Sequence, residues 1–93
     1  RQDSVLLTAR TLESWPVSTA GELTEEHFEA ILAHRPEVVL LGTGARQVIV
    51  PPRLYRRLAE SGIGVEVMAT DAAVRTFNVL VSEDRRVLGA LIV

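Results

Sequence analysis

The run Val38-Val39-Leu40-Leu41-Gly42 constrains this chain more than any other stretch. Four consecutive apolar residues without polar alternation describe a strand buried on both faces, the kind that parallel sheets use. Helical patterns flank it on both sides. Upstream, Leu23-Thr24-Glu25-Glu26-His27-Phe28 puts Thr24 at an N-cap and two acids in the first turn, with Leu23 and Phe28 set for a hydrophobic staple. Phe28, Ile31 and Leu32 follow at i, i+3 and i+4, and Pro36 stops the helix. Downstream, Pro51-Pro52 opens a second helix with Leu54 and Leu58 as its apolar stripe, and Gly62 closes it.

Gly64 to Met68 reads as a further strand, expected to be covered by helices on both faces. Thr70 is placed to cap a third helix, in which Val74, Phe77 and either Leu80 or Val81 repeat at helical spacing. Arg86 to Val93 closes the chain as a strand. Ser4 to Thr8 is another, and Trp15-Pro16-Val17 reads as a short edge strand, where proline is tolerated. Alternation of this kind predicts an α/β fold: a three-layer sandwich whose mixed, mostly parallel central sheet carries helices on both faces. Leu40, Val65, Val67, Ile31, Leu58 and Phe77 are its expected core.

With 93 residues, 47% of them hydrophobic, residues 1–93 make one α/β domain and leave no room for a second core. No apolar run approaches the roughly 20 residues of a bilayer-spanning helix, so membrane insertion is not expected. Zero cysteines exclude disulfides, thiolate metal sites and thiol catalysis. All ten basic residues are arginine, which excludes Schiff-base chemistry and any lysine-dependent phosphate loop. The net charge of −2 argues against nucleic acid as a partner. The chain opens on Arg1 rather than Met, as expected of a trimmed or partial chain, and a targeting segment ahead of it is beyond reading.

Gly42-Thr43-Gly44 follows the buried strand at the place where α/β folds bind ligands, and Arg46 is close enough in sequence to supply charge. The dinucleotide fingerprint is incomplete, since a third glycine and an immediate helix are missing. A tight turn at a strand end is the plainer reading. Glu66 lies mid-strand, and a carboxylate covered on both sides needs a partner. Arg75 is the first candidate and Arg46 the second. Two readings follow: a structural ion pair that fixes the third helix on the sheet, or a polar pocket. The pocket would comprise Gly42, Thr43, Gly44, Arg46, Glu66, Thr70, Arg75 and Asn78.

His27 and His34 are seven apart, whereas helical metal pairs want three or four, so no metal site and no cofactor is expected. No nucleophile elbow is present and no catalytic residue is assigned. Arg53, Arg56 and Arg57 form a basic stripe with Tyr55 beside it, either a solvated helix face or a docking surface for an acidic partner. Glu22, Glu25, Glu26 and Glu29 are its acidic counterpart on the first helix, a pairing that allows head-to-tail association.

Three segments then carry a family likeness: Pro36 to Gly44, Gly62 to Met68, and Arg75-Thr76-Phe77-Asn78-Val79-Leu80. In this order they resemble the domain of unknown function 498/598, the family of mitochondrial complex I assembly factor 3 and an adipogenesis-associated protein, in its bacterial form. The likeness runs from Ser4 to Val93. It implies a three-layer α/β fold, and an additional N-terminal strand pair that this chain is expected to lack. Ala69 stands where the family tends to have Asp, Val74 where Cys is frequent, and Phe77 where Tyr is common, which leaves less chemistry for catalysis. The resemblance implies an assembly or interaction role for the mitochondrial relatives and leaves the bacterial role open. The chain is read as a non-catalytic interaction or assembly module with a protein partner, cytoplasmic in bacteria and mitochondrial in some relatives. A small-molecule or anion binder centred on Gly42–Gly44, Glu66 and Arg75 is the alternative.

Overall fold

The structure, a computed structural model, describes residues 4–93. Along the chain run β1 (Val5–Leu7), β2 (Leu12–Ser14), α1 (Glu25–Leu32), β3 (Val38–Gly42), α2 (Arg56–Glu60), β4 (Gly64–Met68), α3 (Thr70–Ser82) and β5 (Val87–Leu91). Short 3₁₀ turns at Ala20–Glu22 and Pro52–Tyr55 precede α1 and α2, so the prolines open a 3₁₀ turn first and the α-helix only at Arg56.

The strands form one sheet in the order β2-β1-β5-β3-β4. β3 lies parallel to both β5 and β4, while β1 pairs antiparallel with β5 and β2. Every residue of β3 and of β5 is buried, as expected of strands covered on both sides. Side chains alternate between two cores. Val39, Leu41, Leu88 and Ala90 meet Phe28, Ile31 and Leu58 of α1 and α2. Val38, Leu40, Val87 and Leu91 meet Ala73 and Phe77 of α3. The chain is therefore the three-layer sandwich that its alternation predicts.

Local signals set the helices as read. Thr24 is the N-cap of α1, Leu23 and Phe28 are both buried, and the Thr24 N–H donates to His27 Nδ1 at 3.0 Å. Histidine thus takes the place a Glu or Gln holds in a capping box. Gly62, at φ 80°, closes α2.

Four expectations change. The N-terminal edge strand is Leu12–Ser14, not Trp15–Val17, because the Thr8 hydroxyl accepts the Arg10 and Thr11 N–H groups in a tight turn that starts the return strand at once. Trp15 and Val17 still enter the core, from beyond the strand. In α3 the buried stripe is Ala73 and Phe77 with Leu80 and Val81 half-buried, and Val74 faces solvent. Val65 and Val67 pack against the α1/α2 core but are half-buried.

The largest change concerns β4. It is an edge strand, and α3 lies over β3 and β5 and barely reaches it. Glu66 points to the α3 side of the sheet beyond the rim of that helix, and is exposed. The expected burial of this carboxylate does not occur.

Candidate functional site

β3, β4 and β5 end together, and the Gly42-Thr43-Gly44 turn sits at that end beside the start of α3. Thr70 is the centre of the joint. Its hydroxyl donates to the Ile92 carbonyl at 2.5 Å and accepts the Gly44 N–H at 2.8 Å, while its own N–H donates to the Gly44 carbonyl at 2.9 Å. Ile92 N–H returns to the Gly42 carbonyl at 2.9 Å. Thr70 is thus the first residue of α3 rather than its cap, a place held by Ala69.

Thr43, 6% exposed, fixes the outer half of the turn. Its N–H donates to the Met68 carbonyl at 2.9 Å, and its hydroxyl donates to the Arg46 carbonyl at 2.8 Å while accepting the Val48 N–H at 3.0 Å. Gly42 is glycine because α3 crosses so close: a Cβ there would lie 2.9 Å from the Thr70 Cα. The N–H groups of Thr43 and Gly44, which an anion would need, are consumed by the fold.

The remaining residues of the expected pocket do not converge on this joint. Among the described residues Glu66 makes no ion pair or side-chain hydrogen bond. Arg75 pairs instead with Asp71 one turn back, at 3.7 Å on an exposed face. Arg46 is exposed in the loop after the turn, and Asn78 is exposed on α3. Neither the structural ion pair nor the pocket read around Glu66 is formed, because both required a covered β4.

The arginine stripe divides as well. Arg57 donates to Glu29 Oε2 at 2.7 Å and ties α2 to α1 within one chain. Tyr55 turns inward onto Phe28, with ring centroids 5.7 Å apart. Arg53 and Arg56 stay exposed, without a carboxylate within ion-pair range among the described residues. Of the acids and bases that suggested head-to-tail association, Arg57 and Glu29 therefore meet inside the molecule.

The loop between Gly44 and Pro51 is the feature that the sequence reading passed over. Val50 is buried, Val48 is 41% exposed and Ile49 is 91% exposed. Two anchors hold the loop still: the Thr43 hydroxyl on Val48, and the Gln47 Nε2, which donates to the Val67 carbonyl on the free edge of β4 at 3.0 Å. Val48 and Ile49 border a depression of about 540 Å³ that also takes in Leu23, Glu25, Glu26, Arg53 and Leu54. The signal was an apolar triplet, Val48-Ile49-Val50, running directly into two prolines.

At the opposite end of the sheet Glu37 gathers two arginines. It accepts the Arg86 N–H at 3.0 Å and the Arg85 Nε at 3.1 Å. Its carboxyl titrates below the ordinary value, first because of the Arg86 backbone donor, with Arg85 assisting. His34 stands 3.3 Å from Glu13. Arg35 and Asp84, at φ 50° and 62°, turn the chain after α1 and α3 on the same end.

Residues 1–92 match the family described as protein of unknown function, DUF498/DUF598. The chain belongs to that family. The family resemblance read from the three sequence segments is thereby shown. Among its relatives, the 13 kDa major membrane protein of Francisella tularensis is 40% identical over 65 residues, covering 70% of this chain and 53% of that protein. NADH dehydrogenase [ubiquinone] 1 alpha subcomplex assembly factor 3 of Bos taurus is 38% identical over 88 residues, 92% of this chain and 48% of its own length. The chain spans about half the length of the curated relatives it matches. A crystal structure of a Bordetella parapertussis protein superposes with a TM-score of 0.91 at 38% identity, over 97% of this chain and 78% of that one. None of the described helices is long and apolar enough to cross a membrane.

Proposed function

We propose that this chain is a protein-interaction module of the assembly-factor kind, working through its surface and without catalysis. The observation that carries the reading is the likeness to complex I assembly factor 3, which extends over 92% of the chain. The partner is a protein, and the role is to hold a component of a larger complex while that complex forms. In a bacterium the module acts in the cytoplasm, and docking on a membrane-bound complex would reconcile it with a relative named as a membrane protein.

The anion-binding alternative has little to work with at the turn, where the Thr43 and Gly44 N–H groups and both threonine hydroxyls already have partners. The test is purification of the tagged chain at its native level, with the bound proteins quantified. A stoichiometric partner of different sequence, recovered reciprocally when that partner is tagged, is the expected result. No such partner, together with a small molecule that raises unfolding free energy by about 2.7 kcal/mol at a hundred times its Kd, would replace this reading with the alternative.

A further inference from the structure

The geometry of the loop after the Gly42–Gly44 turn points to a second copy of this chain as its occupant. We propose that two copies pair about a twofold axis through the depression beside Ile49, each inserting its Ile49 into the other. Single exposed apolar residues are ordinary on protein surfaces. Ile49 differs in being presented by a fixed loop, because the Thr43 hydroxyl and Gln47 hold the preceding residues, Val50 is buried, and Pro51-Pro52 follows. An anchor held in its bound conformation loses little entropy on docking.

Knob and hole lie side by side. The depression that Ile49 borders has Leu23 and Leu54 in its lining, so an apolar side chain finds apolar walls there. Its rim carries opposite charges from different elements: Glu25 and Glu26 from the first turn of α1, and Arg53 from the 3₁₀ turn before α2. None of the three makes an ion pair among the described residues. In the proposed pairing the acidic side chains of one copy face Arg53 of the other, twice. A patch with adjacent knob and hole and with divided charge is complementary to its own rotated image, which is what an isologous interface requires. A partner of uniform charge would meet repulsion on one rim or the other.

Eleven residues line the depression, fewer than the roughly 20–30 a side of a standard interface, so the pairing is expected in the micromolar range. The proposal does not rest on the assembly reading. Purified chain decides it, whereas that reading is decided by a partner of different sequence.

Sedimentation equilibrium of the purified chain from about 5 to 500 μM should show a monomer–dimer equilibrium, at affinities typical of small interfaces. Ile49→Asp should weaken it at least about tenfold, the effect of losing a central anchor, with unchanged circular dichroism and unfolding midpoint. Arg53→Glu alone and Glu25→Arg/Glu26→Arg alone should each be monomeric. Mixed in equal amounts, those two variants should form a heterodimer that disappears when both also carry Ile49→Asp. A monomer at every concentration would overturn the proposal and leave the face to another protein. So would a dimer indifferent to Ile49→Asp, or a charge-swapped mixture that fails to pair.

Discussion

Gly42→Ala tests whether the glycine-bounded turn serves the fold or a ligand. An alanine Cβ would lie 2.8 Å from Thr70 Oγ1, 2.9 Å from Thr70 Cα and 3.2 Å from Thr70 Cβ. Carbon atoms in van der Waals contact sit at about 3.5–4.0 Å, so the first turn of α3 must retreat by roughly half an ångström or more. Overpacking of this kind costs about 1–3 kcal/mol. The retreat also stretches the Thr70 bonds to the Gly44 N–H and the Ile92 carbonyl, each worth about 0.5–1.5 kcal/mol. A total of about 2–6 kcal/mol results if both bonds are lost, a large part of the roughly 5–14 kcal/mol expected for a domain of this length. Urea unfolding read by tryptophan fluorescence measures it, since Trp15 lies in the core. In a Thr70→Ala background those two bonds are already gone, so Gly42→Ala should cost less there, by roughly 1–3 kcal/mol on the same scale. A cost below about 0.5 kcal/mol in the wild-type background, or an equal cost in both, would refute the close-approach argument.

Leu58→Ala should destabilise by about 2–5 kcal/mol, because the side chain is 1% exposed between α2 and the sheet; a loss within surface scatter on denaturant unfolding would contradict its place in the core. Glu66→Gln should change stability by no more than about 0.5 kcal/mol, as for other exposed positions; a loss of several kcal/mol would restore the buried pair that the edge position of β4 removes. Glu37 titrates below its ordinary value near 4.5 in the folded chain, so its contribution to stability is present above that value and is lost as pH falls through the lower folded value. Glu37→Gln should therefore be less stable than wild type at pH 7, with the difference closing as the pH falls through the lowered folded value; a difference that is constant with pH would contradict the assignment.

Most of the fold was legible because its signals are local. The unbroken apolar run of β3, the cap and staple of α1 and the glycine after α2 each act within a few residues, and each appears where it was read. Strand order is not local. Nothing near Gly64–Met68 says that β4 ends the sheet, and from that one gap came the expected burial of Glu66 and the pocket built on it. The strand did carry a hint. Val65 and Val67 flank Glu66 in strict alternation, the pattern of a strand with one covered face, unlike the continuous run of β3. The turn was found, but its partner was not. That Thr70 joins Gly44 to Ile92 depends on α3 and the end of β5 arriving at the same point, 26 and 48 residues after the turn's last glycine.

An amide chemical-shift map of the folded chain, titrated with phosphates, nucleotides and carboxylates, separates a structural joint at the Gly42–Gly44 turn from a ligand site. No saturable shift is expected at Thr43, Gly44 or Thr70 for any of them, since those amides donate to Met68, Thr70 and Gly44 and the Thr70 hydroxyl to Ile92. Saturable, site-specific shifts at those three amides, with a Kd well below a millimolar, would show a ligand site in place of a structural joint.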